Sequence, residues 1–149
     1  YKSLQIRGIS RNSSTGFNSA GQIHITFNND SATNYVVHYA YGMAGAGGTL
    51  AGAGQSYSRI QIYHSDMYDA ATASSFGTSI TDILDYASTT KNKVTRSIAG
   101  ADANSANNNF GVSLNSGLWL STAAITRIDI TPETGTFKAG STFALYGIS

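Results

Sequence analysis

Short runs in which apolar and polar residues alternate, each closed by Gly, Asn, Asp or Pro, recur along this chain from end to end. In an extended strand successive side chains point to opposite faces, so period-two alternation commits a segment to a half-buried β-strand. The pattern is clearest between Leu118 and Ser149. There Ala123–Ile130 reads AAITRIDI and Ser141–Ile148 reads STFALYGI, on either side of a turn region holding the sole proline, Pro132, with Gly135 and Gly140. Alternation and turn residues together predict a closing β-hairpin, with Ile128, Ile130, Phe143 and Leu145 in the core. Its last strand is expected to be tied into a sheet rather than frayed.

The same reading predicts strands at Tyr1–Ile9, Gln22–Phe27, Tyr35–Tyr39, Tyr57–His64, Lys93–Ile98 and Phe110–Leu114, with Ile23, Ile25, Phe27, Ile60 and Ile62 facing inward. Phe76, Ile80, Ile83 and Leu84 have helix-like spacing, but their Gly, Ser and Thr context selects a strand over Ser79–Tyr86. Met67, Ala70 and Ala71 predict one short helical turn within Asp66–Ser75. Asn28–Asn34 and Asn115–Gly117 read as turns, Arg11–Gly21 and Gly100–Asn109 as polar loops. Six of the thirteen residues from Gly42 to Gly54 are glycine, which predicts a flexible or tightly turning surface loop that orders against a partner. The sum is eight or nine antiparallel strands with no long helix. That is an all-β chain, a single β-sandwich domain over residues 1–149, of jelly-roll type. It begins at Tyr1 rather than Met, as would a trimmed chain or the C-terminal part of a longer protein.

Charge narrows the classes of partner. Only 11% of residues are charged and the net charge is +1, against roughly 25% charged in an average domain. No long-range field draws such a chain to nucleic acid or an acidic membrane. No apolar run approaches the ~20 residues that span a bilayer, so no membrane insertion is expected. Cysteine is absent, which removes disulfides and thiolate chemistry. A surface rich in Ser, Thr, Asn and Tyr but poor in charge suits a chain whose large faces are covered by copies of itself or by neighbours.

Catalytic machinery is not evident. His24, His38 and His64 fall in different predicted strands with no carboxylate at metal-ligand spacing, and read as exposed or hydrogen-bonded strand histidines. Asp82 and Asp85, three apart, point to opposite faces of a strand and make no acid–base pair, although Asp66 or Asp69 could approach one of them. Asn28, Asn29, Asp30 and Asn34 form an oxygen-rich turn with one charge and without the spacing of a calcium loop, so turn capping is the expected role. The glycine segment has no following Lys and is not a phosphate loop. No Ser lies in a nucleophile elbow. No catalytic residue, metal or cofactor is expected, and the chain does not read as an enzyme. Tyrosines supply the candidate binding surface: Tyr39, Tyr41, Tyr57, Tyr63 and Tyr68, suited to sugars or protein partners. The competing reading packs them as half-buried strand residues. Stacking on nucleic acid would need basic residues between the rings, and Arg59 stands alone there.

Several stretches carry a resemblance to a known family. Tyr1–Arg7 (YKSLQIR), Phe27–His38 (FNNDSATNYVVH), Ile83–Tyr86 (ILDY), Lys91–Arg96 (KNKVTR) and Ser116–Trp119 (SGLW) are similar in order and spacing to a module of tailed-phage virion proteins. AAITRIDI followed by FKAGSTFALYGIS, and its Phe-Ala-Leu-Tyr-Gly-Ile ending above all, resembles that module most specifically. The resemblance covers almost the whole chain. It implies a non-enzymatic structural protein of the particle surface, a tail fibre or capsid decoration module. Its implied partners are copies of itself, with a homotrimer favoured, other virion proteins, and a host surface glycan or protein. Two departures stand out: the family's pattern has one more strand-like segment before Tyr1, and the Gly42–Gly54 stretch is richer in Ala and Gly. A carbohydrate-binding jelly-roll module of an adhesin or larger enzyme is the alternative that the tyrosines support.

Overall fold

A computed structural model of the chain describes residues 1–15, 21–43, 48–69, 71–102 and 110–149. Among them are ten strands and no helix: β1 (Ser3–Ser10), β2 (Ile23–Phe27), β3 (Tyr35–Met43), β4 (Thr49–Tyr57), β5 (Ile60–Ile62), β6 (Gly77–Leu84), β7 (Lys93–Gly100), β8 (Gly111–Trp119), β9 (Ile128–Pro132) and β10 (Thr142–Ile148). They form two antiparallel sheets, one of seven strands in the order β10-β1-β6-β7-β8-β3-β4 and one of three in the order β5-β2-β9. The all-β sandwich expected from alternation is what the chain forms, with ten strands instead of eight or nine.

One core fills the space between the sheets. The small sheet supplies Ile23, Ile25, Phe27, Ile60 and Ile62, as alternation predicted, and the large sheet answers with Ile6, Tyr35, Ile83, Ala99 and Trp119. Phe27 and Trp119 set their rings 5.6 Å apart, and Tyr35 lies nearly parallel to Trp119 at 6.4 Å. Between Phe27 and Tyr35 the chain crosses from one sheet to the other. Asn28 and Asn29 both take positive φ (52° and 58°), and the Asp30 amide donates to the Phe27 carbonyl at 2.9 Å. Asparagine tolerates the left-handed region that such a turn demands at both central positions.

The closing hairpin does not form. β9 pairs with β2 in the small sheet, while β10 pairs with β1 in the large one. Two runs of period two flanking a turn look alike whether they pair with each other or with distant strands. Pro132 ends β9, an edge strand, where its missing N–H costs no ladder bond. Ile128, Ile130 and Phe143 pack against the core as expected, but Leu145 is 57% exposed, because β10 overhangs the narrower sheet. Leu145→Ala should therefore change unfolding free energy by less than about 0.5 kcal/mol in urea denaturation.

Three other expectations are corrected. Among its described residues the glycine stretch is largely strand, β3 running through Gly42 to Met43 and Thr49–Tyr57 forming β4, which pairs with it; residues 44–47 lie outside the described residues. Asn115–Gly117 is not a turn but the middle of β8, where Gly117 leaves room for Ile60; a Cβ there would stand 2.8 Å from it. Asp66–Ser75 makes no helical turn among its described residues, and Ala70 lies outside them. That segment wraps instead around the buried Arg11 guanidinium, whose Nη1 donates to the carbonyls of Thr72 and Ser75 and Nη2 to those of Asp69 and Ala71 at 2.8–3.0 Å.

Candidate functional site

Beyond the edge of the small sheet, the inner face of β3 and β4 is roofed by tyrosines. Tyr39 and Tyr41, two apart on β3, point the same way, and Tyr63 follows β5 to meet them. Ring centroids lie 4.2 Å apart for Tyr39–Tyr63, 5.6 Å for Tyr39–Tyr41 and 5.7 Å for Tyr41–Tyr63. The rings lie on glycine. A Cβ at Gly52 would stand 2.5 Å from the Tyr39 hydroxyl, and one at Gly54 only 2.2 Å from the Tyr57 ring. The alternating Gly-Ala of β4 is thus a bed for aromatic rings, with Ala51 and Ala53 on the opposite face. Burial, followed by the neighbouring Tyr39 hydroxyl, pushes the Tyr63 hydroxyl's pKa up, so that hydroxyl stays uncharged at any physiological pH. Of the five tyrosines singled out in the sequence, Tyr39, Tyr41 and Tyr63 come together and Tyr57 borders them. Tyr68 does not: it is buried beside Phe110 in a second small cluster, its hydroxyl accepting the Gly21 amide at 2.7 Å.

The outer face of the seven-stranded sheet is the less expected surface. In β6, β7 and β8 the usual polarity is inverted. Ser79, Thr81, Thr95, Ser97, Ser113 and Asn115 are buried, whereas Ile98, Val112 and Leu114 are 67%, 66% and 58% exposed. The inward polar groups are mostly paired: Thr81 with Ser97 at 2.8 Å, and the Asn115 amide with Ser113 at 2.9 Å. Lys93, also buried, donates its ammonium to the backbone carbonyls of Lys91 and Thr122 at 2.7 and 3.2 Å. Outside, register aligns Ile80, Ile98 and Leu114 across three strands, and Leu84, Val94 and Leu118 across the same three strands four residues along. Between these rows runs a polar one. Gln5 donates to Asp82 at 2.9 Å, Asp82 pairs with Arg96 at 2.9 Å, and Ser116 and His38 continue the row. Arg7 leans into it, donating to Gln5 at 2.8 Å with its guanidinium over the Tyr146 ring.

Models of protein families, curated proteins and solved structures give no match to this chain. The surfaces themselves must carry the functional reading.

The carboxylates considered for catalysis are engaged structurally. Asp82 belongs to the polar row, where hydrogen bonds from Gln5 and then Arg96 hold its carboxyl below the usual range. Asp85 pairs with Lys91 at 2.8 Å on the surface. Asp66 is buried and accepts from Ser10 and Asn12, each at 2.7 Å; burial raises its pKa against those bonds. Asp69 pairs with Lys138 and lies 3.7 Å from the Arg11 Nε. In the Asn28–Asn34 turn, Asp30 accepts from the Ala32 amide, the Asn34 amide and the Trp119 indole at 2.7–3.0 Å. Three donors on one carboxylate is the geometry of a turn cap.

The histidines correct a further expectation. His38 is exposed on β3, but His24 and His64 are buried, and His64 follows β5 in the left-handed region (φ 54°). The His24 Nε2 and both His64 nitrogens lack a hydrogen-bond partner among the described residues, with the Tyr41 ring edge-on to His64 at 4.9 Å. Burial lowers both pKa values to about 4, helped at His24 by the charge of Arg59. Unfolded, each imidazole binds a proton near pH 6.5, so between pH 6.5 and 4 the unfolded chain holds more protons and stability falls as pH falls. The loss is about 2–3 kcal/mol per histidine by pH 4.5. Asp66, with its raised pKa, binds a proton first in the native state and offsets part of the loss at the acid end. Denaturant midpoints measured from pH 7 to 4.5 should drop. His64→Asn, which keeps a residue tolerant of positive φ, should flatten the slope.

Proposed function

We propose that this chain is a non-enzymatic structural module of a phage particle surface, a tail fibre or capsid decoration protein that assembles with copies of itself and with other virion proteins and contacts the host surface. The observation that supports this most is the outer face of the large sheet. Two exposed apolar rows on a chain with 11% charged residues make a surface that is uncovered in the single chain. Exposed apolar rows rimmed by polar residues mark association surfaces. The family resemblance of the closing strands supports the same reading and favours a homotrimer. The aspartates tied into caps, knots and surface pairs favour a structural role over catalysis.

A second reading is supported by the tyrosine shelf, whose clustered rings offer the aromatic surface that packs against the apolar face of a sugar. It makes the chain a carbohydrate-binding module. Native mass spectrometry and particle labelling separate the two. The structural reading expects an oligomer of the 15.6 kDa protomer and immunogold labelling of intact purified particles. A monomer at all concentrations, absent from particles and with a melting temperature that rises with added glycan, sinks it in favour of the second.

A further inference from the structure

The outer face of the large sheet has a size, a pattern and a charge arrangement that together select one occupant. Seven strands give six inter-strand spacings, and β6, β7 and β8 are eight or nine residues long. At about 4.8 Å per spacing and about 3.3 Å per residue, the face measures roughly 29 by 26 Å, or about 750 Å². A pairing centred between β6 and β7 overlaps six of those strands, β10 to β3, or about 620 Å², at the lower end of the about 600–1,000 Å² that each partner contributes to a stable interface of standard size.

The pattern along the strands is apolar, polar, apolar, with the row through Asp82 and Arg96 in the middle. A two-fold axis in the plane of the interface and parallel to the strands lays each row on the same row of the copy. The charges fix the position of the axis. Asp82 and Arg96 are register partners on adjacent strands, β6 and β7. An axis in the interface, parallel to the strands and midway between β6 and β7, exchanges those two strands. It sets each Asp82 against the Arg96 of the copy, twice over, and each Ile80 against the copy's Ile98, with Leu114 of β8 meeting the copy's Arg7, the register partner of Ile80 on β1.

Three-fold closure does not suit this face. Stacked sheets lie about 10 Å apart, so each reaches about 5 Å to the midplane, and three faces meeting around an axis at that distance are only about 17 Å wide. Neither the breadth nor the length of this face is that small. A three-fold assembly of the chain would have to use other surfaces.

We infer that two copies of this chain pair face to face through the outer surface of the seven-stranded sheet, about a two-fold axis between β6 and β7 that sets Asp82 of one copy against Arg96 of the other. The inference rests on the self-association proposed above and names its surface, symmetry and register. It is tested with the whole chain by analytical ultracentrifugation and native mass spectrometry, with circular dichroism as the check on folding. The unmodified chain should assemble with an even number of copies, as a dimer or as a hexamer in which such pairs join three-fold units. Ile98→Asp with Leu114→Asp, two exposed positions, should halve the assembly while leaving the spectrum unchanged. Asp82→Arg alone places four positive groups at the centre, and Arg96→Asp alone four negative ones. Each variant should self-associate about a hundred-fold more weakly, since facing like charges are strongly unfavourable. Mixed in equal amounts, the two should form a heterodimer, because each then presents the charge that the other lacks; this result cannot come from misfolding. Should assembly persist unchanged in every one of these variants, or be purely trimeric, the pairing is wrong while self-association stands. A chain monomeric at all concentrations overturns both. A monomer that adsorbs to phosphatidylcholine vesicles through this face overturns the pairing and assigns the surface to lipid.

Discussion

Replacing Arg11 with Met should lower the unfolding free energy by about 3–5 kcal/mol, the range seen when one member of a buried charged network is removed. The side chain is almost inaccessible, and its guanidinium ties together Asp69, Ala71, Thr72 and Ser75, alongside the Asp69 amide's bond to the Ser14 carbonyl and the Asp69–Lys138 pair. Four carbonyls at 2.8–3.0 Å lose their donor together. Methionine fills the volume but donates nothing, so those carbonyls must find water or stay unpaired. Arg11→Lys should recover only part of the loss, because a compact ammonium cannot reach acceptors spread across a planar fork. Urea midpoints for the two variants, with proteolysis of the segment after Asp66 as a local probe, provide the check. If Arg11→Met unfolds at the parent's midpoint, the loop is held by something else.

The second large effect is at Trp119. Its indole ring joins Phe27 and Tyr35 at the centre of the core, and its N–H donates to Asp30 at 2.7 Å. Trp119→Ala removes both and should reach the upper end of the about 3–5 kcal/mol typical of large aromatic truncations. Trp119→Phe keeps most of the packing and isolates the bond to the carboxylate, about 1.5–3 kcal/mol. The difference between the two variants measures packing against capping. As this is the chain's sole tryptophan, unfolding has to be followed by circular dichroism rather than by its fluorescence. Equal losses in both variants would show that the bond to Asp30, not the packing of the ring, carries the contribution of Trp119.

What alternation made legible was the presence of strands and the inward residues of the small sheet, since Ile23, Ile25, Ile60 and Ile62 obey the rule that apolar residues point in. It could not orient β7. Lys93, Thr95 and Ser97 alternate with Val94, Arg96 and Ile98, and the apolar set would be placed inside by habit, yet the polar set is buried. Small hydroxyl side chains satisfy one another within a sheet, and that pairing depends on β6 and β8, which the pattern within β7 alone does not show. Partner choice was hidden for the same reason at β9 and β10. The burial of Arg11 among the carbonyls after Asp66 had no local signal at all, because a charged residue in a Ser- and Asn-rich stretch looks like solvated loop. Among the tyrosines, sequence proximity around the glycine stretch did find Tyr39, Tyr41 and Tyr63. It could not see that Gly52 and Gly54 are the floor beneath the Tyr39 and Tyr57 rings. Tyr68 was misplaced because burial of a tyrosine is decided by the partner of its hydroxyl, here the Gly21 amide.

The pairing of β1 with β10 has a mechanical consequence. Ser3 stands opposite Ile148, the Lys2 amide donates to the Ile148 carbonyl at 2.9 Å, and the Tyr1 ring lies over Gly147, so the first and last residues share one corner of the sheet. Tension applied between those two ends would open β1 from β10 like a zipper, loading the ladder bonds one after another, which is the weak direction of a sheet. Tension applied between either end and the outer face would instead shear whole strands past each other and load their bonds together. Held by that corner and gripped across its face, the sandwich meets a pull in its strong direction.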